Sequence, residues 1–385
     1  TASMATPATT PEKPKGARPS RWHLPLWWAN GLAVLVLLLT YLAPHLSPRN
    51  YWILALLAMT YPFQLLAHAG FLLYWGLFRR KRMLLSMGAL LLGWGHVGDH
   101  VQLSGRNAPA SDPQGDGVKV MSFNVRVFDL YDWTGNKVSR DAIMDLIKRE
   151  DAGILCLQEF FDAKNKPYFE NRKELTRTHG LAHVHDNYNV TTKRGHRFGI
   201  ATFSKFPIVA KGQIRFAENA NNQCIWSDID LGHDTIRVYN AHLASYHFGD
   251  AEYRCLNDLD TDTPKDTLRR GGLRILKRLR RGFRLRASEV EGIAEHMRES
   301  PHPVVYCGDM NDVPMSYGYG LFRDRLEDAF VESGSGMGGT YIGRLPSFRI
   351  DHILHSPELE SWSFTTHPEQ LSDHRAISCF IAPVR

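Results

Sequence analysis

The stretch YCGDMND, Tyr306 to Asp312, closes an apolar run with Asp309, Asn311 and Asp312 in quick succession. Gly, Asp and Asn are ordinary turn residues, and one such cluster reads as a turn. The ending recurs, however. MSF runs into Asn124, ILCLQ into Glu159, and IRVY into Asn240 and His242. Asp351 sits inside RIDHIL, and Asp373 and His374 precede the last apolar run. Carboxylate and amide oxygens are hard ligands that suit Mg2+ or Mn2+. Imidazoles supply donors for a charged oxygen or a proton relay. Together these groups fit hydrolysis of a phosphate ester, in which a metal neutralises charge and a positioned base activates water.

The elements that must hold these groups are short β-rich runs interspersed with helices. VKVMSFNVRVF, AGILCLQEF, FGIATFSKFPIV, CIWSDIDL, TIRVYNAHL, PVVYCGDMN, FRIDHIL and AISCFI read as strands, and SRDAIMDLIKRE as a helix. Many strands with a few helices imply α and β layers around a sheet core. Polar groups gather where the strands end, as sites in sheet proteins do.

In this order, SFNVR, LQE, NAHL, GDMND, RIDHIL and SDH resemble the endonuclease/exonuclease/phosphatase superfamily, over nearly all of residues 118–385. The resemblance implies a four-layer α/β sandwich: two packed mixed sheets flanked by helices. It implies Glu159 as principal metal ligand with Asn124 beside it, and Asp373 as a secondary metal or water contact. Asp309 matches the residue that orients or deprotonates the attacking water, and Asn311 its partner at the phosphate. His374 matches the histidine at the phosphate, Asp351 the carboxylate that orients it, and His242 a second charge-stabilising histidine. Arg126 departs from the acidic residue of the apurinic endonucleases at that position. The Asn240–x–His242 pattern is closer to deoxyribonuclease I and to sphingomyelinase-like phospholipases. His352, His355 and His367 are left as surface or packing residues.

The chain of 385 residues is too long for one ordinary soluble domain. Residues 1–21 form a basic tail rich in Thr, Ala and Pro, expected to be disordered. Residues 22–104 contain two long apolar runs, one with Pro62 inside it, and a shorter glycine-rich third, expected as two or three transmembrane helices. Residues 105–117 read as a linker, and 118–385 as the catalytic domain. Lys13, Lys15, Arg18 and Arg21 precede the first run and Arg79 to Arg82 follow the second, with only Arg49 between. Both clusters should face the cytoplasm. If the third run spans, the catalytic domain is periplasmic or extracellular.

The net charge of +6 favours acidic partners. The five cysteines form no C-x-x-C pair, which argues against a zinc ribbon or thioredoxin-type site. Residues 267–297 join an apolar stripe (Leu273, Leu276, Leu279, Phe283) to Arg270, Arg274, Lys277, Arg278, Arg281 and Arg284. Such a helix lies on an anionic membrane, packs on a sheet, or contacts a nucleic-acid backbone. The expected activity is a Mg2+-dependent phosphodiesterase on phospholipid or sphingolipid head groups. The alternatives are a membrane-tethered nuclease acting on DNA or RNA, and a catalytically dead binding module. Membrane lipids and the phosphodiester are the expected partners, with no obligate protein partner evident.

Overall fold

The computed structural model describes residues 23–105, 117–133, 135, 139–216, 222–246, 248, 265–343 and 347–384. The expected tail, most of the linker, Cys255 and most of the loop from Tyr246 to Asp266 lie outside the described residues.

Strands β1 (Val118–Asn124), β2 (Ile154–Ala163), β3 (His183–Thr191), β4 (His196–Ser204), β11 (Leu359–Thr366) and β12 (Ile377–Pro383) form one mixed sheet, ordered β11-β12-β1-β2-β4-β3. Strands β5 (Ile208–Ile214), β6 (Gln223–Asp230), β7 (Thr235–His242), β8 (Val304–Asp309), β9 (Glu327–Asp328) and β10 (Asp351–His355) form the second, ordered β5-β6-β7-β8-β10-β9. The strand period of two explains the layering. Val305 and Cys307 of β8 enter the core between the sheets with Val120 and Cys156. Val304 and Tyr306 point the other way, against α8 (Lys265–Arg298) and α9 (Tyr317–Arg323). Helix α6 (Ser139–Glu150) and α7 (Asn171–Thr178) cover the outer face of the first sheet. The result is a sandwich of four layers.

Two expected strands are shorter than their apolar runs. The first stops at Asn124, because Arg126, Val127, Phe128 and Asp129 all take positive φ (41°, 49°, 56° and 54°). Four left-handed residues cost about 1–2 kcal/mol each, and a β-branched valine tolerates the conformation poorly. FGIATFSKFPIV is not one strand. It divides around Pro207 into β4 and β5, which belong to different sheets.

Upstream lie α1 (His23–Thr40), α2 (Pro48–Met59), α3 (Tyr61–Phe78), α4 (Arg80–Leu92) and α5 (Trp94–Gly98). Among the described residues, α1 is long and apolar enough to cross a membrane. Pro62 does not kink a continuous helix. It opens α3, and α2 with α3 pass the same test only as a pair bent by 52°. The third apolar run gives a helix of 13 residues, short of the ~20 a span needs. Helices α1 and α3 are antiparallel: His23 meets Tyr74 and Phe78 at one end, and Thr40 bonds Gln64 at the other. Helix α4 returns beside them, from Arg82, which donates to the His23 carbonyl, to Ala89, whose carbonyl accepts from Tyr41. The sandwich docks on the Thr40 end. There Leu37, Ala58 and Tyr61 share a core with Val313, Met315 and Ile350. The Arg349 guanidinium donates to the Asp99 carbonyl across this junction at 2.7 Å.

Candidate active site

Three adjacent strands of the second sheet bring the first groups together. His242, the last residue of β7, is in register with Asp309, the last of β8. Asp309 is in turn in register with Asp351, the first of β10. The facing edge of the first sheet supplies Asn124 and Glu159 from the parallel pair β1 and β2. Glu159 sits at a break in the β2–β4 register with φ 47°, and Asn311 follows β8 with φ 52°. Non-glycine residues held in this region concentrate at functional sites.

Asn124 joins the sheets: its Nδ2 donates to Asp309 Oδ2 at 3.1 Å and to Glu159 Oε1 at 3.4 Å. His242 Nε2 stands 3.7 Å from Asp309 Oδ2 and 3.8 Å from Glu159 Oε1. His374 Nδ1 bonds Asp351 Oδ2 at 2.8 Å, which leaves Nε2 facing Asp309 Oδ2 at 3.6 Å. The Asn311 backbone N–H donates to Asp309 Oδ1 at 2.8 Å, and its side chain donates to the Leu243 carbonyl. Asp373 lies 3.5 Å from Arg126 Nε, and the left-handed turn stacks that guanidinium 4.3 Å from the Trp133 ring centre. Glu159, His242, Asp309, Asn311, Asp373 and His374 line one pocket of about 230 Å³. Asn124 and Asp351 stand behind it, bonded to Asp309 and His374.

Burial raises the Asp309 carboxyl above its ordinary range, while the His374 and His242 imidazoles pull it back. Burial works against the His374 imidazolium, but Asp351 and Asp309 outweigh it and hold this histidine well above its usual value. A charged His374 at the pocket wall is suited to an anionic oxygen.

Asp309, Asp351 and His374 each offer a ligand atom within 4.8 Å of one another, a candidate divalent metal site. Within this group His374 Nδ1 and Asp351 Oδ2 are bonded to each other. Asp351 Oδ1 is buried with no hydrogen-bond partner. With Glu159 and Asp373 on the pocket wall, the donor set is rich in hard carboxylate oxygen, which fits Mg2+ or Mn2+ better than a thiophilic ion.

Other participants carry no local sequence signal. Arg286 of α8 is buried and donates to Tyr246 Oη, the Ala244 carbonyl and Asp312 Oδ2 at 2.7, 2.7 and 3.2 Å. Glu289, one turn on, accepts from Ala244 N at 2.9 Å. The pair grips the loop behind His242 from the helix side. Asn240 does not line the pocket. Its Oδ1 accepts from Gln158 Nε2 at 2.8 Å, and its Nδ2 donates to the Ala201 carbonyl at 2.9 Å, bridging the sheets. The pocket lining also includes apolar side chains: Phe248, Val313, Phe348, Ile350 and, from α2, Met59.

His352, His355 and His367 are packing residues, none at the surface; all three are buried. His352 is lowered to about 3 by burial and by Arg349 beside it. The four described cysteines are buried and free.

A buried Asp–His pair and an acidic cluster at one edge of a two-sheet sandwich define a phosphoric ester hydrolase of the metal-assisted class. The chain belongs to the Endonuclease/Exonuclease/phosphatase family, which matches residues 121–374. Residues 23–100 match a domain of unknown function, DUF8431. No curated protein sequence matches the chain. Similar solved structures include an endonuclease/exonuclease/phosphatase from Beutenbergia cavernae, 16% identical over 69% of this chain and 72% of that one, with a TM-score of 0.49. The human Nocturnin catalytic domain with bound sulfate is 18% identical over 70% and 94%, also at 0.49. A family protein from Leptotrichia buccalis is 14% identical over 68% and 98%, at 0.48. At such identities the likeness concerns the fold alone.

Proposed function

We propose that the chain is a membrane-anchored, Mg2+-dependent phosphodiesterase that hydrolyses phospholipid or sphingolipid head groups. The observation that carries the substrate is the mixed lining of the pocket. Glu159, His242, Asp309 and His374 share it with apolar side chains that include Met59 from the N-terminal helices. A phosphodiester with a hydrocarbon part fits such a lining, because polar and apolar groups each take the portion that matches them.

In this reading Glu159, Asn124 and Asp373 hold the cation. When bound, it neutralises phosphoryl charge and eases ionisation of water. Asp309, fixed by Asn311 N–H and Asn124, accepts the proton of the attacking water. His374, oriented by Asp351, and His242 stabilise charge on the non-bridging oxygens.

The membrane placement has its own support. Leu32, Leu35, Leu66, Leu73 and Leu77 of α1 and α3 are more than half exposed. An apolar surface of that kind fits a bilayer better than water. The short α4 would complete a third crossing with α5 and the shielding of its neighbours. Arg79 to Arg82 lie at the end of this bundle away from the sandwich. With that cluster cytoplasmic, the catalytic domain is periplasmic or extracellular.

The test is hydrolysis by the purified chain in mixed micelles with Mg2+, offering sphingomyelin, phosphatidylcholine and duplex DNA, with Asp309→Ala as control. Head-group release that the variant loses is the expected result. Release of nucleotides alone would replace this reading with a tethered nuclease.

A further inference from the structure

Arg286 is 2% exposed and does not line the pocket, yet its guanidinium holds two loops that do. In the loop after β7, Nη1 donates to the Ala244 carbonyl and Nη2 to Tyr246 Oη, each at 2.7 Å. In the loop after β8, Nε donates to Asp312 Oδ2 at 3.2 Å. Glu289, one turn further along α8, accepts from Ala244 N at 2.9 Å. The helix thus grips Ala244 by both its N–H and its carbonyl. Tyr246 carries the network on to the N-terminal helices, since its hydroxyl donates to Met59 Sδ of α2 at 3.4 Å.

The two loops bear groups assigned to the reaction. Ala244 lies two residues past His242, and Asp312 directly follows Asn311. The loops also meet each other: Leu243 N donates to the Asp309 carbonyl, and Asn311 Nδ2 to the Leu243 carbonyl, both at 3.0 Å. Arg286 ties them a second time, from the helix. Asp312 is a fixed anchor for that tie, because its Oδ1 also accepts from Val313 N at 3.2 Å. Burial pushes the Asp312 carboxyl above its ordinary range, and Arg286 pulls it back. A guanidinium suits this task better than an ammonium, because its donors diverge in a rigid planar fork. Acceptors on two segments are then fixed relative to one another. We infer that Arg286 is a positioning residue that acts through His242: anchored on Asp312, it holds the loop after β7 so that His242 keeps its place beside Asp309.

This inference rests on the role proposed above for His242. The test is steady-state hydrolysis of bis(p-nitrophenyl) phosphate by the full chain with Mg2+, for Arg286→Lys, His242→Ala and the two combined. Arg286→Lys keeps a cation beside Asp312 and loses the fork. It should lower kcat by about 100-fold, the scale of a 1 Å misplacement, and leave KM within about twofold. In the His242→Ala background the same change should cost less than about threefold, because the group being positioned is gone. Arg286→Met with Asp312→Leu removes both buried charges and leaves neither unpaired, so it tests the tie even where the lysine variant does not fold. It should show the same kcat loss and the same masking by His242→Ala. A loss that multiplies in full with that of His242→Ala overturns the inference, as does an unchanged kcat. If His242→Ala alone leaves turnover unaltered, the role given to His242 falls and this inference falls with it. If His242→Ala costs rate and the Arg286 variants do not, this inference alone falls.

Discussion

His374 Nδ1 and Asp351 Oδ2 are 2.8 Å apart and both residues are buried, so the imidazole presents Nε2 to Asp309 in one fixed orientation. Asp351→Asn keeps the shape and removes the charge that selects the tautomer and stabilises the imidazolium. Phosphodiester turnover should fall roughly 10³- to 10⁴-fold, the scale of loss when such an orienting carboxylate is neutralised. Steady-state kinetics on a soluble diester such as bis(p-nitrophenyl) phosphate checks it. Turnover close to that of the unaltered chain would sink the dyad.

Glu159 lines the pocket next to His242, and its left-handed backbone survives any change of side chain that keeps its length. Glu159→Gln removes one negative charge from the donors proposed for the cation. The Mg2+ concentration for half-maximal rate should rise by about 10- to 100-fold, with little change in thermal stability. Chelation of Mg2+ should stop the reaction of the unaltered chain. An unmoved Mg2+ titration for the variant assigns the ion to other ligands, with Asp309 and Asp351 the next candidates.

The pocket groups were legible in the sequence because strand ends are local. An apolar run that stops at Asp309 or His242 fixes a position at a sheet edge, and the sandwich collects such edges. Asn311, Glu159, Asp373 and His374 arrive at one pocket for that reason. What the sequence hid was tertiary. Met59 reaches the pocket only because α2 bends away from α3, and Arg286 reaches Asp312 only because α8 crosses behind β7 and β8. Asn240 reads like a site residue two positions before His242. Strand alternation puts both on the same face of β7, and their place along the strand separates them: Asn240 bonds Gln158 and Ala201 of the first sheet, whereas His242 is the last residue of β7 and lines the pocket. The division of FGIATFSKFPIV was hidden because both halves are apolar enough to be strands.

Met59 gives the lipid reading a direct check. Met59→Glu sets a charge among the apolar side chains of the pocket lining. Hydrolysis of a lipid in mixed micelles should fall by roughly tenfold or more, the range set by apolar pocket contacts. Hydrolysis of bis(p-nitrophenyl) phosphate should change little. Equal losses on both substrates would make Met59 a structural residue and remove the support for an acyl-lined pocket.

Asn240 predicts a stability effect with no role in binding. Asn240→Leu removes the bonds to Gln158 Nε2 and the Ala201 carbonyl in the space between the sheets, although Gln158 Nε2 keeps Ser122 Oγ at 3.2 Å. The loss should cost about 1–3 kcal/mol. Urea unfolding followed by fluorescence should show the loss, and Mg2+ dependence should be retained. A shifted Mg2+ requirement with intact stability would place Asn240 in the metal site instead.

The junction between the helices and the sandwich carries a pH signature. Asp328 is fully buried, with Arg349 Nη1 and Tyr319 Oη donating to its Oδ2 at 2.7 Å each. Burial, the largest single influence, would raise its pKa, but Arg349, His352 and the Tyr319 hydroxyl together outweigh it, and the carboxyl is held below its ordinary value. A depressed carboxylate contributes stability that is present above its unfolded pKa, about 3.9, and is lost as pH falls through the folded value. Asp328→Asn at neutral pH leaves Arg349 buried without its anion, at a cost of about 3–5 kcal/mol. The gap in melting temperature between the two chains should therefore be full at neutral pH and should close as pH drops below about 4, because the unaltered chain then loses the same charge. A gap that stays constant down to the acid limit would mean that Asp328 contributes through its shape and hydrogen bonds and that its charge is immaterial.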